Sequence, residues 1–117
     1  MDKRRLDYEV REMRRRPKFR NLILYIDRTY PAHHWGYYYW GGFLPSQHYM
    51  KARYPENYPY SPLEIELTPD VDEEHHKLGR NICYIRPEEW SPAYRASTAI
   101  TLAIVYIAKY YAGRLDE

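Results

Sequence analysis

ICYIRPEEWSPAYRASTAITLAIVYIAKYYAG, residues 82–113, is the stretch that decides the fold. It places a cysteine ahead of a charged, proline-containing turn and follows both with a long apolar segment. Cys83 is the single cysteine among 117 residues, so no disulfide can form within the chain. Downstream, Ser91 is a good N-cap, Pro92 fits the first helical position and Gly113 supplies a left-handed stop. Between them Ile100, Ala103, Ile104, Ile107 and Tyr111 share one face, which Leu102, Val105 and Tyr106 widen. A helix apolar over most of its girth is expected to be buried on several sides, as a core helix against the inner face of a sheet.

That sheet is legible upstream. Leu63, Ile65 and Leu67 alternate with Glu64 and Glu66, the pattern of a strand with one wet face. Residues 19–28 form a β-rich segment with Leu22, Leu24 and Ile26 on one side. After a break at Tyr30-Pro31, an aromatic strand runs from Trp35 to Trp40 and ends at Gly41-Gly42. A further strand is expected from about Phe43 to Tyr54, with Pro45 limiting its regularity. Ahead of these, Leu6, Val10 and Met13 recur at helical spacing from Lys3 to Arg16. Asp2 is placed to cap this helix and Pro17 to stop it, and its narrow apolar stripe predicts a surface position. From Thr68 to Glu89 charges and the breakers Pro69, Gly79 and Pro87 predict a long loop, of the kind that is functional in compact domains. Cys83 lies within it. The fold class is therefore α+β: an N-terminal helix, a four-stranded antiparallel meander and a core helix, in one domain over residues 1–117.

Composition narrows the function. The 18 Lys and Arg nearly cancel the 16 Asp and Glu, which argues against nucleic acid as a partner. The charge is uneven, however. Residues 1–20 carry nine basic against four acidic residues, and residues 64–89 carry eight acidic against three basic, a polarity suited to a charged protein partner. The apolar run from Ala99 to Ala108 is far short of the ~20 residues of a membrane span, so a soluble, cytoplasmic protein without a membrane partner is expected.

The order of these elements resembles the ubiquitin-conjugating enzyme family, and particular residues carry the likeness. Trp40-Gly41-Gly42-Phe43 is similar to the family's Gly-Gly strand entry. Tyr54-Pro55-Glu56-Asn57-Tyr58-Pro59-Tyr60-Ser61-Pro62 resembles its proline-rich turn. Gly79 and Ile82-Cys83 resemble its Gly-x-x-Cys neighbourhood with one extra residue, and Trp90-Ser91-Pro92-Ala93 matches closely. Two features depart from the pattern. Glu73-Glu74-His75-His76 stands where the family has His-Pro-Asn, with His75 about at the asparagine. The sequence also stops after the core helix, where typical members add two more. The resemblance is thus to a minimal or divergent member, as from a prokaryotic ubiquitin-like system.

It implies that Cys83 accepts a ubiquitin-like modifier from an activating enzyme as a thioester and passes it to an amine or through a ligase. A thiolate suits this step, because one thioester is exchanged for another and no strongly activating base is needed. Glu88 and Glu89, if close, would raise the thiol pKa. Amine attack builds an oxyanion that one placed donor stabilises by about 2.7–4 kcal/mol. His75, His76 and Asn81 are the donors near Cys83 in sequence, His75 first by position. The resemblance further implies an activating-enzyme surface at Lys3, Arg4, Arg5 and Arg11. A RING-type ligase would engage Arg5, Tyr60, Pro92 and Ala93.

No metal or organic cofactor is expected. Adjacent histidines, His33-His34 and His75-His76, point to opposite sides of an extended strand, and no Cys-x-x-Cys or His-x-x-x-His spacing exists. Tyr37-Tyr38-Tyr39-Trp40 could stack sugars or bases, but alternation sends its members to both faces of the sheet. The rival readings are an inactive variant of the same fold that binds a modifier or scaffolds a complex, and an unrelated thiol hydrolase.

Overall fold

Asp2 accepts a hydrogen bond from the Arg4 N–H at 2.8 Å and starts α1, Lys3–Arg14. The computed structural model describes residues 2–28, 37–71 and 76–116. Beyond α1, Pro17–Phe19 form a 3₁₀ turn whose Phe19 is buried, and β1 follows at Ile23–Asp27. The strands β2 (Tyr37–Phe43), β3 (Tyr49–Arg53) and β4 (Glu64–Thr68) complete one antiparallel sheet in the order β1-β2-β3-β4. The last long element is α2, Ala96–Tyr111. Among the described residues the protein is α+β, with two α-helices and a four-stranded antiparallel meander. Among the described residues no helix is long and apolar enough to cross a membrane.

The strand register explains the core. Leu24, Trp40, Ala52 and Ile65 lie in line across the four strands, and Gly42, Met50 and Leu67 form the next row. Trp40, Met50, Ala52, Ile65 and Leu67 are buried with Ala99, Ile100, Ala103 and Ile107 of α2 in one apolar cluster. The opposite face carries Tyr25, Tyr39, Arg53 and Glu64 in a single row. Tyr25 stacks on Tyr39 with centroids 5.2 Å apart, Lys51 lies over Tyr39, and Arg53 lies over Tyr37 and pairs with Glu64 at 2.6 Å.

Several boundaries differ from the sequence expectation. β2 runs through Gly41-Gly42 instead of ending there, because neighbouring groups occupy the space of their missing side chains. A Cβ on Gly41 would sit 2.5 Å from the Tyr49 hydroxyl, and one on Gly42 would sit 2.7 Å from Leu22 Cδ2. Phe43 belongs to β2, and a turn in which Leu44 N–H donates to the His48 carbonyl separates it from β3. Inside the expected loop a short hairpin forms, β5 (Lys77–Leu78) with β6 (Asn81–Ile82), turning at Gly79 with φ +65°. α2 starts at Ala96, not at Pro92: Ser91 Oγ accepts the Ala93 N–H and closes a separate turn. Nor is α2 covered all round, since Val105 and Tyr111 are exposed and Leu102 and Ile104 half-buried.

α1 lies on the surface as its narrow stripe predicts, with Lys3, Arg4, Asp7, Tyr8, Arg11 and Arg14 exposed, but its inner face is polar as well as apolar. Leu6 and Met13 are buried, and so are Glu9 and Glu12. Glu9 is 1% exposed, and it accepts from Arg5 Nε at 2.6 Å, Tyr54 Oη at 3.1 Å, the Ala96 N–H at 2.9 Å and the Tyr58 hydroxyl. Trp40 Nε1 donates to Tyr54 Oη at 2.9 Å and carries the network into the sheet. Burial first, then the Glu9 carboxylate, push the Tyr54 and Tyr58 phenols up, so both remain donors. Glu12 accepts from the Ser97 hydroxyl and from Arg95 Nη1 at 3.4 Å. Two carboxylates thus face the N-terminus of α2, where the helix dipole and unpaired N–H groups favour negative charge.

Removing Glu9 strands four donors at once. Glu9→Ala should lower the unfolding free energy by about 3–5 kcal/mol, and Tyr58→Phe by about 1 kcal/mol. Urea titration of both variants checks this, with the midpoint falling and the slope unchanged.

Candidate functional site around Cys83

Cys83 follows β6 directly, and its position is set by one carbonyl. The His76 C=O accepts the Cys83 N–H at 2.8 Å and also the Tyr106 hydroxyl of α2 at 2.8 Å. Tyr106 is buried, so the core helix braces the backbone that holds the cysteine. On the other side Tyr84 Oη donates to the Leu63 carbonyl at 2.7 Å and ties the residue after Cys83 to the end of the proline-rich turn. Trp90 Nε1 donates to the Pro59 carbonyl at 2.8 Å, which binds the same turn to the segment leading into α2.

The thiol itself is half-buried and lies 3.4 Å from the Ile85 carbonyl, to which it donates. Burial pushes its pKa up, Glu88 adds to the rise, and Arg86 partly offsets it. The group is therefore a protonated thiol at neutral pH that yields a minor thiolate population. Of the two expected acidic neighbours, Glu88 acts on the thiol. A groove of about 340 Å³ opens next to Ile82 and Tyr84, walled by Pro55, Pro62, Leu63, Leu78, Ile85 and Pro87.

The described candidates for the oxyanion donor, His76 and Asn81, have partners of their own. His75 lies outside the described residues. His76 offers its carbonyl to Cys83, while its ring Nε2 pairs with Asp116 Oδ1 at 2.8 Å. Asn81 sits on β6, its amide 3.4 Å from Glu64 Oε2. In this arrangement neither described side chain is bonded to the thiol.

The expected partner surfaces also differ among themselves. Lys3, Arg4 and Arg11 are exposed on α1, and Tyr60, Pro92 and Ala93 are exposed on their turns, Tyr60 at 77%. Arg5 is committed within the chain: besides Glu9 it donates to the Pro92 carbonyl at 3.0 Å and to the Tyr94 carbonyl. It holds α1 against the Ser91–Tyr94 turn and so fixes the relative position of the two surfaces. The aromatic run divides as alternation requires, with Trp40 buried and Tyr38 packed on the core, while Tyr37 and Tyr39 lie under Arg53 and Lys51.

Tyr106 is the residue the sequence reading undervalued, as one more apolar position on the core helix. A tyrosine on a buried helical face needs a partner for its hydroxyl, and that requirement was the available signal.

No protein-family model, curated protein or solved structure matches this chain.

Alkylation of Cys83 by iodoacetamide as a function of pH should give a midpoint above the ordinary thiol value of about 8.5. Glu88→Gln should lower that midpoint and Arg86→Gln should raise it, the signs following from removal of a negative and a positive neighbour respectively.

Proposed function

We propose that this protein is a divergent ubiquitin-conjugating-enzyme-like carrier that holds a ubiquitin-like modifier as a thioester on Cys83. The observation that carries this reading is the braced backbone of Cys83. The Cys83 N–H is bonded to the carbonyl of His76, just ahead of β5, which Tyr106 of the core helix also holds, in the order helix, antiparallel meander, cysteine segment, core helix. The Tyr54–Pro62 and Trp90–Ala93 motifs, tied together through Trp90 and Pro59, support the same family assignment.

In the proposed step the Cys83 thiolate attacks the carbonyl carbon of the modifier's thioester on the activating enzyme. The new C–S bond forms as the old one breaks, and the departing thiolate takes up the proton that Cys83 lost. Attack by an amine then cleaves the Cys83 thioester, gives an amide, and returns a proton to the thiol. His75 remains the first candidate for stabilising the oxyanion of that second step, ahead of His76 and Asn81. Lys3, Arg4 and Arg11 would meet the activating enzyme, with Arg5 setting the helix that presents them. Tyr60, Pro92 and Ala93 would meet a RING-type ligase. No metal or organic cofactor takes part.

One observation favours a second reading, an inactive scaffold of the same fold: the His76 ring is engaged by Asp116.

The deciding experiment mixes the protein with ATP and the modifier and activating enzyme from the same genome, resolved on a non-reducing gel. A reductant-sensitive adduct is expected, absent in Cys83→Ala and replaced by a reductant-resistant oxyester in Cys83→Ser. His75→Ala should slow discharge to an amine more than loading. Charging of the activating enzyme without any adduct on this protein would select the scaffold reading.

A further inference from the structure

The balance of charges in the sequence understates how basic one surface is. Of the four acidic residues in the first 20, Glu9 and Glu12 are buried and consumed by internal partners. What remains exposed there is Lys3, Arg4, Arg11, Arg14, Arg15, Arg16, Lys18 and Arg20 against Asp2 and Asp7. Arg16 approaches Glu12 at 3.6 Å, but Arg11, Arg14 and Arg15 form no ion pair among the described residues. They stand three and four residues apart on α1, where like charges repel. The negative end of the helix dipole offsets part of that repulsion, at the last turn only.

This cluster surrounds an aromatic ring. Tyr8, Arg11, Arg14 and Arg15 line one shallow depression. Tyr8 is 40% exposed, and the Arg95 guanidinium lies 5.5 Å from its ring centroid. An acidic peptide needs only the cations. A ring set among guanidiniums adds a stacking surface next to phosphate-binding groups, which is the combination that single strands require.

We propose that α1 from Tyr8 onward, with the Arg15 that follows it, binds single-stranded nucleic acid, with Tyr8 stacking on a base and Arg11, Arg14 and Arg15 contacting phosphates, while Arg95 stays paired with Glu12. The site lies apart from Cys83 and stands or falls without the carrier reading.

The test is fluorescence anisotropy of the full chain with a fluorescein-labelled oligothymidylate of about 12 nucleotides, a length within known single-strand site sizes. With three phosphate contacts, affinity should fall about 20-fold between 50 and 200 mM salt, and only about threefold in Arg11→Gln/Arg15→Gln. Tyr8→Ala should weaken binding at least about fivefold at both salt concentrations without changing the salt slope, while Tyr8→Phe retains it. Circular dichroism confirms that each variant is folded. The proposal is overturned if the oligothymidylate does not bind at 50 mM salt. It is equally overturned if a labelled polyglutamate of the same charge binds as tightly and Tyr8→Ala changes nothing, which would make the surface a dock for an acidic protein segment.

Discussion

A buried carboxylate is stabilised by the donors the fold brings to it, and Glu9 imposes that condition on the segments around it. Its four donors come from three places: Arg5 one turn back on α1, Tyr54 and Tyr58 in the turn after β3, and the first backbone N–H of α2. None of these segments can shift without stranding the charge. The constraint also reaches the cysteine. Glu9 fixes where α2 begins, at Ala96, and Tyr106 stands ten residues further on, about 15 Å along the helix. From there Tyr106 holds the His76 carbonyl, and that carbonyl holds Cys83. The path from the first helix to the thiol is a series of hydrogen bonds, each between groups with few alternative partners.

The same burial has an electrostatic consequence. Taking Glu9 and Glu12 out of contact with water removes half the acidic residues from the N-terminal surface and leaves its cations in place. The formal net charge of +2 therefore averages over two unlike surfaces. On the outer face of the sheet the opposite solution operates, since Lys51 pairs with Asp27 and Arg53 with Glu64, so cations there are matched locally. On α1 the cations have no carboxylate partner of that kind, and the helix C-terminus, where Arg15 Nε donates to the Arg11 carbonyl, accounts for only part of them.

How much of this was legible in the sequence depended on whether the deciding interaction was local. β4 was readable because a half-buried antiparallel strand alternates, and Ile65 and Leu67 against Glu64 and Glu66 say so directly. α1 was readable in extent because Asp2 and Pro17 act on their immediate neighbours. The burial of Glu9 on its inner face was not, because a glutamate carries no mark of being internal until Tyr54, Tyr58 and Ala96 are brought to it by the fold. The start of α2 misled for a related reason. Ser91-Pro92 is a sound helix signal, but Arg5 takes the Pro92 and Tyr94 carbonyls and Glu9 takes the Ala96 N–H, so the helix begins where its donors are received. Gly41-Gly42 read as a terminus and proved to be a close approach. The β5–β6 hairpin was invisible because strands of two residues have no period. At the site, Cys83 could be singled out as the lone thiol, whereas its braces could not, since they use the carbonyl of one residue and the hydroxyl of a distant one.

The electrostatics of Cys83 bear on what kind of thiol chemistry it suits. Desolvation and Glu88 raise its pKa, and a thiol of higher pKa is both a more nucleophilic thiolate and a poorer leaving group. A hydrolase would be hindered by this, because its acyl-enzyme must be broken down by water at every turnover. For the carrier proposed above the balance is different. Exchange between thioesters needs only a small thiolate population, and the loaded intermediate must outlast the search for an acceptor. A poorer leaving group slows loss of cargo to water, while an amine positioned against the thioester can still displace it. Such a site discriminates by placement of the acceptor more than by activation of the sulfur. That agrees with a thiol whose backbone is held on both sides, by His76 and by the Tyr84–Leu63 bond, and whose Sγ is bonded to no side chain among the described residues.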